Sequence, residues 1–145
     1  MKDQDLYDAF QQVHRQMRRS LAQATPDLPQ ELAPSQARLL RILSHHSGSS
    51  QKELAAFMRI RPASLSEVLT KLEQKNLLEK EQDPADRRRN RYFLSSAGKD
   101  LAQNLQQERR DQGGAFFASL TVAEKADLLA ILEKLNQQPE SLLEE

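Results

Sequence analysis

The sequence predicts a mainly α-helical protein with a small β-hairpin in its middle. Three observations carry that expectation. Apolar residues recur at three- and four-residue spacing over most of the chain, the period of an amphipathic helix. Two Ser/Thr-x-x-Glu sequences, Ser50 with Glu53 and Thr121 with Glu124, have the form of a capping box at a helix start. Two strand-like runs, at residues 77–81 and 90–94, flank Asp83, Pro84, Ala85 and Asp86, a turn with Asp first and Pro second.

The elements follow in order. Leu6, Phe10, Val13, Met17 and Leu21 make one apolar stripe and predict a helix over residues 3–24. Thr25, Pro26, Asp27, Leu28 and Pro29 end it, because proline cannot continue a helix. A second helix is expected over residues 34–46, with Pro34 in its first turn and Leu39, Leu40, Ile42 and Leu43 inward. Residues 47–50 read as a loop or a short edge strand. A short helix over residues 51–58 turns Leu54, Ala55 and Met58 inward, and Arg59, Ile60 and Arg61 make a tight connection. The next helix covers residues 62–75 with Leu65, Val68, Leu69 and Leu72 as its stripe, and Asn76 stands where a left-handed cap residue belongs. After the hairpin a long helix is expected to about residue 120, with Ala97, Leu101 and Leu105 inward and Gly113 and Gly114 weakening or bending it. A last helix runs to about residue 137 with Leu128, Ile131, Leu132 and Leu135 on one side, and the tail after Pro139 is expected to fray.

The chain has 145 residues, 38% hydrophobic and 29% charged, and that length suits one domain, or one domain with helical extensions. It contains no cysteine, so disulfides, thiolate metal sites and cysteine redox sensing are excluded. No stretch approaches the roughly 20 apolar residues of a membrane span. The polar start, Met1 to Asp5, does not read as a signal peptide, so the cytoplasm is the expected location. Net charge is zero but unevenly spread: +1 over residues 1–50, +3 over 51–91 and −4 over 92–145. Such asymmetry matters more than the total for electrostatic binding.

The middle of the chain therefore reads as a helix-turn-helix followed by a hairpin. The second helix of such a pair enters the DNA major groove. Its outward face here would carry Pro62, Ala63, Ser64, Ser66, Glu67, Thr70 and Lys71, small and hydroxyl-bearing near its start. An ordinary solvated helix could look the same. The hairpin tips the balance, because Arg87, Arg88, Arg89 and Arg91 crowd its tip and returning strand. A wing that straddles phosphates needs that charge, and an arginine gains further in a narrow minor groove. The nearby acids Glu79, Glu81, Asp83 and Asp86 favour the plainer alternative of a solubilising charge run.

At this point the chain resembles the MarR family of regulators. The resemblance rests on Asp86, Arg87 and Arg88, then Arg91, Tyr92 and Phe93, then Leu94, Ser95, Ser96, Ala97 and Gly98. It rests also on the stretch from Gln51 to Ala55 before the recognition helix and the stretch from Leu72 to Leu77 after it. It covers nearly the whole chain and implies a winged helix-turn-helix over residues 34–94, with residues 1–33 and 95–145 forming a dimerisation region in one continuous fold. It implies a homodimer on a palindromic double-stranded operator, acting as a repressor released by a small aromatic or anionic effector. It implies that Arg88 enters the minor groove and that Asp86 holds it. Because side chains repeat every second residue in an extended arm, the two are expected on one side of it. Ser95 stands for the usual Thr, Asn76 for the usual Gly, and Glu67 for a residue that is often basic or small and polar. Glu67 could accept from a cytosine amino group, pair with Lys71, or point away.

The effector candidates are Tyr7, Phe10, His14, Arg18, Leu39 and Leu43. His14, His45 and His46 raise a metal-responsive alternative, although neighbouring histidines diverge on a helix; no metal or cofactor is expected. No nucleophile triad, Gly-rich phosphate loop or close carboxylate pair is apparent, so the protein is not expected to be an enzyme. A winged-helix module for protein partners, without DNA binding, stays open as an alternative.

Overall fold

The computed structural model describes residues 1–23 and 32–137, with the side chains of residues 21–23 left aside. The expected helix stop at Thr25 to Pro29, the side chain of Leu21 in the first stripe and the tail after Pro139 lie outside the described residues. The elements are α1 (Asp3–Gln23), α2 (Pro34–His45), β1 (Ser49–Ser50), α3 (Gln51–Met58), α4 (Pro62–Gln74), β2 (Leu78–Gln82), β3 (Asn90–Leu94), α5 (Ser96–Phe116) and α6 (Val122–Asn136). Each sequence-expected element is present within a few residues. The described residues divide into two compact units, one of residues 1–23 with 111–137 and the other of residues 32–110.

The second unit is a winged helix-turn-helix. Its core gathers Leu39, Leu40 and Leu43 of α2, Leu54, Ala55 and Met58 of α3, and Leu65, Val68, Leu69 and Leu72 of α4. Leu78, Tyr92 and Leu94 close it from the strands. Each large apolar side chain buried this way contributes about 1.5–3 kcal/mol. Local chemistry sets the helix ends. The Ser50 hydroxyl accepts from the Glu53 N–H at 3.2 Å and starts α3. Arg59 ends α3 with φ 53°, and Asn76 follows α4 with φ 58°, both in the left-handed region. Asparagine tolerates that region better than most residues; arginine is an uncommon occupant.

The sheet is three-stranded and antiparallel, in the order β1-β3-β2. The long hairpin pairs Leu78 with Leu94, Lys80 with Tyr92 and Gln82 with Asn90. Ser49 and Ser50 form the edge strand against Tyr92 and Arg91.

The inner face of α5 differs from the sequence expectation. Gly98, Ala102 and Leu105 are buried, Leu101 is half-buried, and Ala97 is exposed. The reason is the close approach of α5 to the chain entering β2. A Cβ on Gly98 would stand 2.1 Å from the Leu77 carbonyl oxygen. Only glycine admits that distance, so the helix turns this side inward. Ala102 and Leu105 belong to the core of the winged lobe. The division between the units accordingly falls after residue 110, inside α5, whereas the sequence placed it before residue 95.

The first unit holds α1, the end of α5, and α6. Helix α5 passes through Gly113 and Gly114 and stops at Phe116, short of the expected residue 120. Tight turns follow, with the Ala118 N–H donating to the Ala115 carbonyl and the Leu120 N–H to the Phe117 carbonyl. Thr121 and Glu124 then form the full reciprocal capping box of α6, at 3.2 and 2.8 Å. Much of each apolar stripe is uncovered in the single chain: Leu6, Phe10 and Val13 of α1 and Ile131 and Leu135 of α6 are exposed, while Met17, Leu128 and Leu132 are half-buried.

Candidate nucleic-acid interface

Helix α4 hangs on the core by Leu65, Val68, Leu69 and Leu72 and leaves the opposite face free. Pro62, Ala63, Ser64, Ser66, Glu67, Thr70 and Lys71 are all exposed there. Two of its hydroxyls are already engaged within the lobe. Ser66 Oγ donates to the Pro62 carbonyl at 3.0 Å and accepts from Gln51 Nε2. Thr70 Oγ1 donates to the Ser66 carbonyl at 2.8 Å. Glu67 and Lys71 form an ion pair at 3.3 Å, one helical turn apart. That is the second of the three options left open for Glu67. Its carboxylate still faces solvent.

The wing tip departs from the extended arm expected of residues 86–88. Residues 83–89 make two successive side-chain-capped turns. Asp83 Oδ1 accepts from the Ala85 N–H at 2.9 Å, and Asp86 Oδ1 accepts from the Arg88 N–H at 3.0 Å. Asp83 and Arg89 close the loop by a backbone bond of 2.8 Å, and the Asp86 carbonyl accepts from the Arg89 N–H at 3.0 Å. Asp and Asn favour such turns because their short side chains reach the backbone two residues on. The alternation of a strand therefore does not apply between Asp86 and Arg88. Asp86 holds the backbone of Arg88, and its carboxylate pairs with the Arg89 guanidinium at 3.6 Å. Arg87, Arg88, Arg89 and Arg91 are all exposed. Arg91 lies across from Glu81 in the hairpin.

Between the wing and the start of α3 runs an open cleft of about 170 Å³ lined by Ser50, Gln51, Lys52, Arg88, Arg89, Asn90 and Tyr92. It brings wing arginines beside Lys52, an association the sequence did not disclose. Two further contacts position α4 and the wing. Lys75 Nζ at the end of α4 donates to the buried Gln36 Oε1 of α2 at 2.7 Å. Lys80 of β2 meets Glu73 of α4 at 3.6 Å. Burial, and then the Glu73 carboxylate, hold the Tyr92 phenol above its ordinary value. On the side of α2 and α5, burial and then Arg109 and Arg38 lower the Arg41 guanidinium from its usual value. Most of these contacts join different elements, Lys75 with Gln36 across 39 positions, and single-residue chemistry gave no signal for them.

The effector candidates are dispersed. Tyr7, Phe10, His14 and Arg18 are exposed on α1. Leu39 is fully buried in the lobe core. Leu43, also buried, forms part of the floor of a cleft of about 320 Å³ that Leu94, Lys99, Ala102, Gln103 and Gln106 share. Among the described residues no cluster of three His, Cys, Asp or Glu groups could hold a metal ion. The His46 ring instead stacks on Phe57 at 4.2 Å. No helix among the described residues is long and apolar enough to cross a membrane.

Comparison with known proteins agrees with this architecture. Residues 32–89 match the model of the MarR family. A Thauera aromatica protein named for transcriptional regulation of the hcr operon is 29% identical over 107 residues. The match spans 74% of this chain and 64% of that protein, just under two thirds of its length. The HTH-type transcriptional regulator YwhA of Bacillus subtilis is 30% identical over 99 residues, 68% of this chain and 71% of YwhA. Among solved structures, Bordetella bronchiseptica BpsR, whose DNA binding is regulated by 6-hydroxynicotinic acid, shares the fold with a TM-score of 0.74. It is 22% identical, and the superposition covers 92% of this chain and 99% of BpsR. With the winged lobe, the length of the matches and the identity to YwhA taken together, the chain belongs to the MarR family.

Proposed function

We propose that this MarR-family chain is a sequence-specific, double-stranded DNA-binding transcriptional repressor, a cytoplasmic homodimer released from its operator by a small aromatic or anionic effector. One observation carries the DNA-binding part: the free polar face of α4 stands in the same lobe as a wing whose tip and returning strand carry four exposed arginines. In this proposal Pro62, Ala63, Ser64, Ser66, Glu67, Thr70 and Lys71 lie along the major groove. Arg88 reaches the minor groove, Asp86 sets its backbone, and Arg87, Arg89 and Arg91 meet phosphates. The uncovered apolar faces of α1 and α6 support a dimer, because exposed stripes of that size usually meet a partner. Repression and effector release are supported by likeness, since BpsR is regulated in its DNA binding by an aromatic acid. Regulation of transcription is the activity named for the relatives, which supports a non-enzymatic role.

The test is a gel shift of the pure protein on duplex DNA from upstream of its own gene, with a salt titration and a panel of phenolic and pyridine carboxylic acids. Binding that weakens steeply with salt supports phosphate contact, and release by one of the acids supports the effector. Binding insensitive to salt, or no preference for the upstream duplex over random DNA, refutes the proposal.

A further inference from the structure

The outer face of α4 is selective about what it can offer a base. The protons of the Ser66 and Thr70 hydroxyls are committed to the Pro62 and Ser66 carbonyls, so neither can donate outward. Ser66 also receives the Gln51 amide, which fixes its oxygen. The charged groups left on the middle of this face are Glu67 and Lys71, paired at 3.3 Å and both well exposed.

We infer that Glu67 and Lys71 act together as a reading head for one C·G base pair, the carboxylate accepting from the cytosine amino group and the ammonium donating to the paired guanine. The inference rests on the DNA-binding role proposed above. In the major groove a C·G pair presents the cytosine N4 donor beside the guanine O6 and N7 acceptors. N4 and O6 are joined by a Watson–Crick hydrogen bond and so lie about 2.9–3.0 Å apart. The Glu67 oxygen and the Lys71 nitrogen stand 3.3 Å apart and present an acceptor and a donor at nearly that spacing. Lysine has three donors and a carboxylate has two oxygens, so each can keep its partner while meeting a base.

Pairing also removes the difficulty of a carboxylate near phosphates. Alone, Glu67 would be repelled; paired with Lys71 it adds no net charge to the groove face. Glu67 precedes Lys71 on α4, so the head has a direction along the helix. An inverted G·C pair puts donor and acceptor in the wrong order. An A·T pair has the adenine amino group beside the thymine O4, but that side has a single acceptor next to a methyl group. The expected order of preference is therefore C·G, then A·T, then the two inverted pairs.

The experiment selects bound duplexes from a randomised double-stranded pool with the full chain. It then repeats the selection with the exchanged variant Glu67→Lys/Lys71→Glu and with Glu67→Ala. Both residues are exposed, and circular dichroism with thermal melting checks that the variants fold. The parent is expected to enrich a C·G pair at a fixed motif position. The exchanged variant should enrich G·C at that position and keep the rest of the motif. Glu67→Ala should lose preference there by about five- to a hundredfold in relative affinity, the range for one lost base contact. An exchanged variant that selects the parent motif unchanged, or a parent motif with no C·G pair that the exchange inverts, refutes the reading head and leaves the DNA-binding role standing. A parent that enriches no duplex at all refutes both.

Discussion

Replacing Gly98 by alanine tests the packing that joins the wing to the start of α5. The added Cβ would lie 2.1 Å from the Leu77 carbonyl oxygen and 3.1 Å from its carbon. Ordinary contact needs at least 3.4 Å, so backbone must separate by roughly 1 Å or more. That carbonyl also accepts from the Ser95 N–H at 3.0 Å, and Ser95 Oγ donates to the Asn76 carbonyl at 2.7 Å. The contact cannot open without straining these bonds. Overpacking of this kind costs about 1–3 kcal/mol, and a weakened backbone hydrogen bond adds about 1 kcal/mol. Gly98→Ala should therefore lose about 2–4 kcal/mol. Urea unfolding followed by circular dichroism at one fixed protein concentration reads this directly. With a slope of about 2 kcal/mol per M, the midpoint should fall by about 1–2 M. A midpoint within about 0.2 M of the parent would show that α5 and Leu77 can move apart freely, and the explanation for the buried side of α5 would fail.

The other predictions concern the wing, assembly and pH. Arg88→Ala should weaken DNA binding by about five- to tenfold across many sequences and make the salt slope shallower by about one, with melting unchanged. Asp86→Ala should weaken binding less, by loosening the Arg88 N–H and freeing the Arg89 guanidinium; gel shifts at two salt concentrations that match the parent for both variants would remove the wing from the interface. Sedimentation should find a dimer at micromolar concentration, and Ile131→Glu with Leu135→Glu, one turn apart on the exposed apolar stripe of α6, should shift it to monomer; a folded monomeric parent would contradict the assembly. The Tyr92 phenol has its folded-state value raised by burial and by Glu73, so it binds its proton more tightly when folded. Its contribution is fully present below about pH 10 and is lost as pH rises through the folded value. Denaturant unfolding from pH 9 to 11 should show stability falling above about 10, and Tyr92→Phe should flatten that fall. Equal pH slopes for parent and variant would count against it.

Periodicity alone located the helices, because a buried stripe must repeat every three or four residues. Leu65, Val68, Leu69 and Leu72 turn inward as their spacing requires, and this leaves the face with Glu67 and Lys71 outward. The cap at Ser50, the capping box at Thr121 and the left-handed Asn76 were legible for the same local reason: their bonds span three or four residues. The crowding of arginines in the hairpin could also be read directly.

Only the tertiary structure decided the contacts between distant residues. The inward side of α5 depends on Leu77, which precedes Gly98 by a whole hairpin, so helical spacing pointed to Ala97 instead. The geometry of Asp86 and Arg88 depends on a second turn after Pro84, in which side-chain-to-backbone bonds replace strand alternation. Gln51 fixing Ser66, Gln36 holding Lys75, and Lys52 meeting the wing across a cleft all join separate elements. A one-dimensional pattern records which face a residue takes on its own helix or strand. Which other element lies against that face is set by three-dimensional packing, and at this interface that packing determines which side chains remain free to meet a ligand.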